Sequence, residues 1–332
     1  MRQPFRRIAI GSLAAAALLA AVLAVFPSRS TADSLSETIL AMFPKDVGEF
    51  AYADMKSARQ YPWFAQVRDQ LLPARFREFE KFLNTAGIDP NTQVDQLAWG
   101  GIDVEKGGGE EIVGVALGSF NPASAEQRFK QQKLPFIDVN GNHLYAFGSG
   151  TAPGDILFTF IDANTAAFGH KAALEKMLAV RAGQAESLTD NNTIYPLIED
   201  TNGNGIIWAV LNQRYTRLGV TQLLPQANQF PQMEQIMGRL QAMTISVDAD
   251  NGLDAKFQAV CSSSQDANLL SAALQAGIMY RRYQEGQQNQ ALSSALDQVR
   301  VSPAGDRLNV DIPLSQDQIA SLIRSHAFAI QM

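Results

Sequence analysis

The chain has 332 residues, a length for about two domains, with 46% hydrophobic and 18% charged side chains. That is the composition of a chain with a buried core rather than a disordered one. The net charge of −6 (27 Lys+Arg against 33 Asp+Glu), with no basic run past the first residues, argues against a nucleic-acid partner. One cysteine excludes an internal disulfide and a Cys-rich zinc centre, and three histidines leave little for metal or triad chemistry.

The amino terminus carries the strongest signal. Arg2, Arg6 and Arg7 precede the uncharged run Ile8–Phe26, whose nineteen residues would span about 28 Å as a helix, close to a bilayer's apolar thickness. Pro27 ends the run, and no acidic residue occurs before Asp33. Basic residues ahead of an apolar helix keep the amino terminus in the cytoplasm and send the remainder across. The run is longer than a cleavable signal needs, which favours a single inner-membrane anchor with the bulk in the periplasm. In the alternative, Ser30-Thr31-Ala32 is a cleavage site and the mature chain is secreted or periplasmic. No cysteine lies just after the run, so lipid attachment there is excluded. Beyond residue 32 the chain has 23 basic against 33 acidic side chains, about −10.

Past this anchor or signal (1–32), strand-like and helix-like segments alternate. Phe50–Asp54 reads as a strand and Tyr61–Gly87 as a helical region, followed by strands Gln96–Val104 and Glu111–Phe120 around Lys106–Gly109. Asn121 caps a helix to about Gln132, with Pro122 at its first position. Phe136–Val139 and His143–Phe147 flank Asn140-Gly141-Asn142, the clearest hairpin signal of the chain. Strands Ile156–Ile161 and Thr165–Phe168 and a helix Lys171–Arg181 follow.

A similar order then recurs: strand Ile206–Leu211, helix Val220–Gly238, strands Leu240–Asp248 and Leu253–Cys261, and a long helix capped by Ser264. Hairpin Gln298–Ser302/Arg307–Ile312 and a helix capped by Ser315 close the chain. Strand, helix, hairpin, helix, hairpin thus occurs twice, about 150 residues apart. The expected fold is α+β: an N-terminal membrane helix, then two similar halves (43–190 and 191–326) of mainly antiparallel sheet with helices on one face. Ile156–Phe168 reads as an addition to the first half.

Phe160–Gly169, Lys171-Ala172-Ala173-Leu174 and Ile207-Trp208-Ala209-Val210 carry a resemblance. In these segments the chain resembles uncharacterised, exported, membrane-anchored bacterial proteins, in which a strand, an Asp-x-x-Thr turn, a strand ending in Gly and a helix recur. The likeness spans Phe43 to Ile312. It implies location and architecture, and no activity or functional residue.

No assembled catalytic motif occurs. Gly148-Ser149-Gly150 lacks the nucleophile-elbow pattern, and the glycine-rich run to Gly154 leads into a strand, where a phosphate cradle needs a helix. The metal candidate is a calcium loop begun by Asp200, Asn202 and Asn204, with Gly205 in the turn; position twelve is Leu211 instead of the required Glu, so a polar turn competes with it. Glu110-Glu111 and Glu78/Glu80 read as solvated faces, and Cys261 as a small buried residue. Tyr280–Tyr283 is a basic-aromatic helix turn beside a Gln-rich stretch, and Met279–Ala291 is a candidate contact surface. No cofactor is implied.

The expectation is a non-enzymatic envelope protein, held at the membrane by its first helix and binding an envelope partner. Two alternatives stay open. One is a hydrolase assembled from distant residues, needing His143 or His170 beside an acid and a serine. The other is an apolar-ligand carrier built on Phe76, Phe79, Phe82, Phe129 and Phe136.

Overall fold

A computed structural model describes residues 34–324, apart from 62–63, 66–67, 69–73, 86, 104–109, 151, 153, 224–236, 250–251 and 286–289. The run Ile8–Phe26, the turn Lys106–Gly109 and His326 lie outside the described residues. Among those described, no helix is long and apolar enough to cross a membrane.

In chain order the elements begin with α1 (Glu37–Leu40), β1 (Val47–Asp54), α2 (Met55–Ala58), α3 (Ala74–Thr85) and α4 (Pro90–Gln93). Then come β2 (Val94–Asp103), β3 (Glu110–Gly118), α5 (Pro122–Gln131), β4 (Phe136–Val139), β5 (Asn142–Phe147), β6 (Ile156–Phe160), β7 (Thr165–Gly169), α6 (Lys171–Arg181) and α7 (Tyr195–Thr201). The second part has β8 (Ile207–Asn212), α8 (Gln213–Leu223), β9 (Leu240–Asp248), β10 (Leu253–Cys261), α9 (Ser264–Glu285), α10 (Gln290–Leu296), β11 (Arg300–Ala304), β12 (Arg307–Leu314) and α11 (Gln316–Arg324).

Local chemistry sets many boundaries. Asn121 Oδ1 accepts from Ser124 N at 3.1 Å and Pro122 opens α5, as the sequence predicts. Asn140 and Gly141 both take positive φ (52° and 79°), the two-residue turn that matches strand twist in the β4–β5 hairpin. Ser315 and Gln318 cap α11 reciprocally, at 2.8 and 3.4 Å. Two boundaries differ from the sequence reading. The helix expected from Val220 starts at Gln213, where Asn212 Oδ1 caps it through Tyr215 N at 3.0 Å; its expected course across Pro225 and Pro231 lies in the undescribed stretch 224–236, and its expected end, residues 237–238, is helical. The α9 cap is Ser263 rather than Ser264, its hydroxyl accepting from Asp266 N at 3.2 Å.

The strands form one twelve-stranded sheet, every neighbour antiparallel, in the order β11-β12-β10-β9-β8-β1-β2-β3-β7-β6-β5-β4. The centre is β1 beside β8, with Ala51 opposite Ala209. Moving outward, β1-β2-β3-β7-β6 matches β8-β9-β10-β12-β11 strand for strand. Hairpin β6–β7 therefore holds the place of β11–β12, and the surplus hairpin is β4–β5 at the sheet edge. The expected addition was one hairpin too late, because chain order does not reveal which hairpin docks against β3.

The expectation of helices on one face is corrected: the sheet centre is covered on both. Ala51, Ala53, Ala209 and Leu211 point to one side, packed with Tyr215 of α8 and with Ile319 and Leu322 of α11. Phe50, Tyr52, Trp208 and Val210 point to the other, packed with Leu174 and Met177 of α6 and Ile198 of α7. All eight residues of β1 are buried. A strand apolar on both faces is the signature of burial on both, and each fully buried large side chain here stabilises the fold by about 1.5–3 kcal/mol. Trp208 stacks on Tyr52 with ring centroids 5.5 Å apart, and Phe50 meets Trp208 at 5.6 Å.

Candidate functional site

On the Trp208 side, the cover by described helices stops part-way along the sheet. Helix α6 lies on β3, β7 and β6, and α7 on β8 and β9, while α9 packs on β10, β12 and β11 from the opposite side. The Trp208 side of β9–β12 thus forms the floor of an open cleft, walled by Leu197, Asp200, Thr201 and Asn204, with a volume of about 430 Å³.

Register explains its polarity. Val210 is followed outward by Thr244, Gln258, Asn309 and Ser302, one residue per strand. Trp208 is followed by Ser246, Lys256, Asp311 and Arg300. Both rows change from aromatic and aliphatic to polar at β9, so the core ends where the cleft begins. The floor is a fixed network: Gln258 Nε2 donates to Asn309 Oδ1 at 2.9 Å, and Arg307 Nη1 donates to Gln258 Oε1 at 2.8 Å. Lys256 Nζ is 3.3 Å from Asp254 Oδ2. The side chains of Thr244, Ser246, Ser302 and Asp311 make no hydrogen bond among the described residues, leaving hydroxyls and a carboxylate open to the cleft. Charges at the cleft balance: Lys256 and Arg307 against Asp200 and Asp311.

The calcium candidate borders this cleft, and its two asparagine side chains hold backbone groups of the chain. Asn202 Oδ1 accepts from Leu35 N at 2.9 Å while its Nδ2 donates to Leu35 O at 2.8 Å, pinning the segment before α1. Asn204 Nδ2 donates to Asp200 O at 2.6 Å, closing the turn after α7. No group of three metal-ligating side chains occurs among the described residues.

The histidines are dispersed. His170 caps α6 in a buried position, its Nδ1 accepting from Ile112 N at 3.3 Å. His143 lies on the β4–β5 hairpin, 3.7 Å from Asp138. Ser149 donates to Asp155 Oδ2 at 2.7 Å. Phe79, Phe82, Phe129 and Phe158 pack ring against ring under α3 and α5, Phe136 is exposed, and the Phe76 side chain lies outside the described residues. Burial holds the Cys261 thiol above its usual range, so it is no activated nucleophile. On α9, Met279, Tyr280 and Tyr283 are exposed, at 68%, 60% and 86%.

A second polar cluster escaped the sequence reading. Glu49 lies mid-β1, fully buried, with neither carboxylate oxygen hydrogen-bonded. Glu110, expected on a solvated face, instead opens β3 with a largely buried carboxyl whose Oε1 has no partner. The Tyr215 hydroxyl from α8 hydrogen-bonds this carboxyl. The three meet because Gly101 lies opposite Glu49 in β2 and presents no side chain; a Cβ there would sit 2.7 Å from Glu110 Oε1 and 3.1 Å from the Tyr215 hydroxyl. Burial, and then the nearby Glu110, push the Glu49 carboxyl well above the usual carboxylate range. Burial lifts Glu110 to about 7 against the lowering effect of the Tyr215 bond. Tyr215 is raised by burial and by both carboxyls. A single Glu between buried neighbours looks like any polar strand residue, and its partners lie far along the chain, so no local pattern marks the cluster.

No protein-family model matches the chain, and no curated protein sequence matches it significantly. Solved structures do resemble it. Crystal form I of the Treponema protein TP0453 superposes with a TM-score of 0.50 at 12% identity, covering 89% of this chain and 98% of that one. Crystal form III gives a TM-score of 0.50 at 11% identity, covering 87% and 98%. At such identity the likeness is one of fold: an α+β architecture on a large antiparallel sheet.

Proposed function

We propose that the chain is an exported, membrane-tethered, non-enzymatic binding protein of a bacterial envelope, and that the open polar side of β9–β12 is its ligand surface. One observation carries the reading: a rigid sheet floor offers pre-positioned polar groups, several without a partner among the described residues, in a cleft that no described helix covers. Arg2, Arg6, Arg7 and the apolar run Ile8–Phe26 support the tether and the periplasmic orientation. The matching strand orders around β1 and β8 support two similar halves joined edge to edge. The fixed floor lowers the ordering cost of binding, and the balanced charges favour a neutral or zwitterionic polar envelope component over a polyanion. The exposed aromatic turn of α9 favours a second contact, with a partner protein, on the opposite side of the sheet.

The test compares the full-length chain with Gln258→Ala/Asn309→Ala in native membranes after chemical cross-linking. The amount of envelope material retained on the protein is measured. The expected result is a loss of about tenfold, the scale of one or two neutral hydrogen bonds, at unchanged membrane content. Equal retention by a variant of unchanged melting temperature overturns the reading.

A further inference from the structure

The buried cluster of Glu49, Glu110 and Tyr215 lies away from the cleft, on the opposite side of the sheet, where α8 meets β1–β3. We propose that Glu110 is a proton-operated latch: protonated, it holds α8 against β1–β3 through Tyr215, and on losing its proton to solvent it turns outward and releases α8.

The geometry gives each part a role. Glu49 has both oxygens buried and unpartnered, so it stays in the neutral acid form; a carboxylate there would be an uncompensated buried charge. Glu110 opens β3 and is partly exposed, which gives its proton a path to water. When it ionises, its charge faces the apolar side of β1 and the Glu49 acid, so moving into solvent is favoured. Tyr215 ties this step to α8, being fully buried between the Gly48 and Gly101 backbones with its hydroxyl on Glu110. The other charged groups facing the cluster are Arg214 of α8 and Asp103 of β2, which form an ion pair with each other and so fasten the same helix at a second point. No further charge is needed to make the latch depend on one proton.

The test is amide hydrogen exchange of α8 (Gln213–Leu223) in the full chain, corrected for intrinsic exchange, between about pH 6 and about pH 8. Wild-type protection should fall about tenfold over that range, the factor expected when one proton controls the opening. Glu110→Gln keeps the shape and a hydrogen-bond acceptor but cannot ionise, so its protection should stay level. Flat protection in the wild type overturns the proposal on its own, as does an equal fall in Glu110→Gln. Should that variant fail to fold, Tyr215→Phe reads the same link: it cuts the tie between Glu110 and α8, so its protection should be lower at the acid end and level with pH. An undiminished pH-dependent fall in Tyr215→Phe also overturns the proposal.

Discussion

Asn309 lies directly opposite Gln258 in the β10–β12 register, and its side-chain carbonyl accepts the Gln258 amide at 2.9 Å. Arg307 locks the same Gln258 from the other end at 2.8 Å. Side chains so tied have lost their rotamer freedom before any ligand arrives, which is what a rigid recognition floor requires. The row containing them is continuous with Val210 and Phe50 in the core, so floor and core share one backbone frame.

Glycine 101 marks a position where a side chain has no room. Gly101→Ala would press on Glu110 and Tyr215 and should destabilise the protein by about 1–3 kcal/mol. Gly277, within α9 and with open space around its Cβ position, is the opposite case: Gly277→Ala should stabilise by up to about 1 kcal/mol through helix propensity. Denaturant unfolding of the two variants, which should shift in opposite directions, checks both.

Stability should decline with rising pH between about 4.5 and 7. In that interval the folded protein keeps the Glu110 proton while the unfolded chain releases it, so the contribution is complete below about 4.5 and gone above about 7. The slope for one such group is about 1.4 kcal/mol per pH unit. Glu110→Gln should remove this component, which urea unfolding at a series of pH values reads directly.

Asn202 joins α7 to the start of the described chain through two hydrogen bonds to Leu35. Asn202→Ala should cost about 1–2 kcal/mol and make the backbone around Leu35 a site of early proteolysis while the rest of the fold stays resistant. Cleavage elsewhere first would assign Asn202 a different role.

If the amino-terminal run is a retained anchor, the native protein has an intact mass near 36.1 kDa and is found in the membrane fraction. A mass beginning at Asp33, in the soluble fraction, would replace the tether with a cleaved signal.

How much of this was legible depended on the range of the determinant. Asn140-Gly141, Asn121-Pro122 and Ser315 act within a few residues, and the sequence places the elements they bound. The double-sided burial of β1 is written in Phe50 and Tyr52 alternating with Ala51 and Ala53, but reading it requires knowing that alanine faces a helix rather than water. Alternating polar residues on β9 and β10, such as Thr244, Ser246, Lys256 and Gln258, are visible too. That they join Asn309 and Asp311 on one face is a matter of register between strands some fifty residues apart. Glu49 and Glu110 were beyond reach, because the gap that brings them together is the missing side chain of Gly101 on the strand between them.

The most direct test of the binding surface is site-specific photo-cross-linking in native membranes. A photoreactive residue replaces Asn309 on the cleft floor, and in a second protein Ala272, exposed on α9 on the opposite side of the sheet. The expected result is a discrete adduct from position 309 to a polar envelope component, reduced when Lys256 and Arg307 are also replaced, and absent from position 272. Adducts to that polar component no more frequent from 309 than from 272, with both proteins folded and membrane-bound, would overturn the assignment of the cleft.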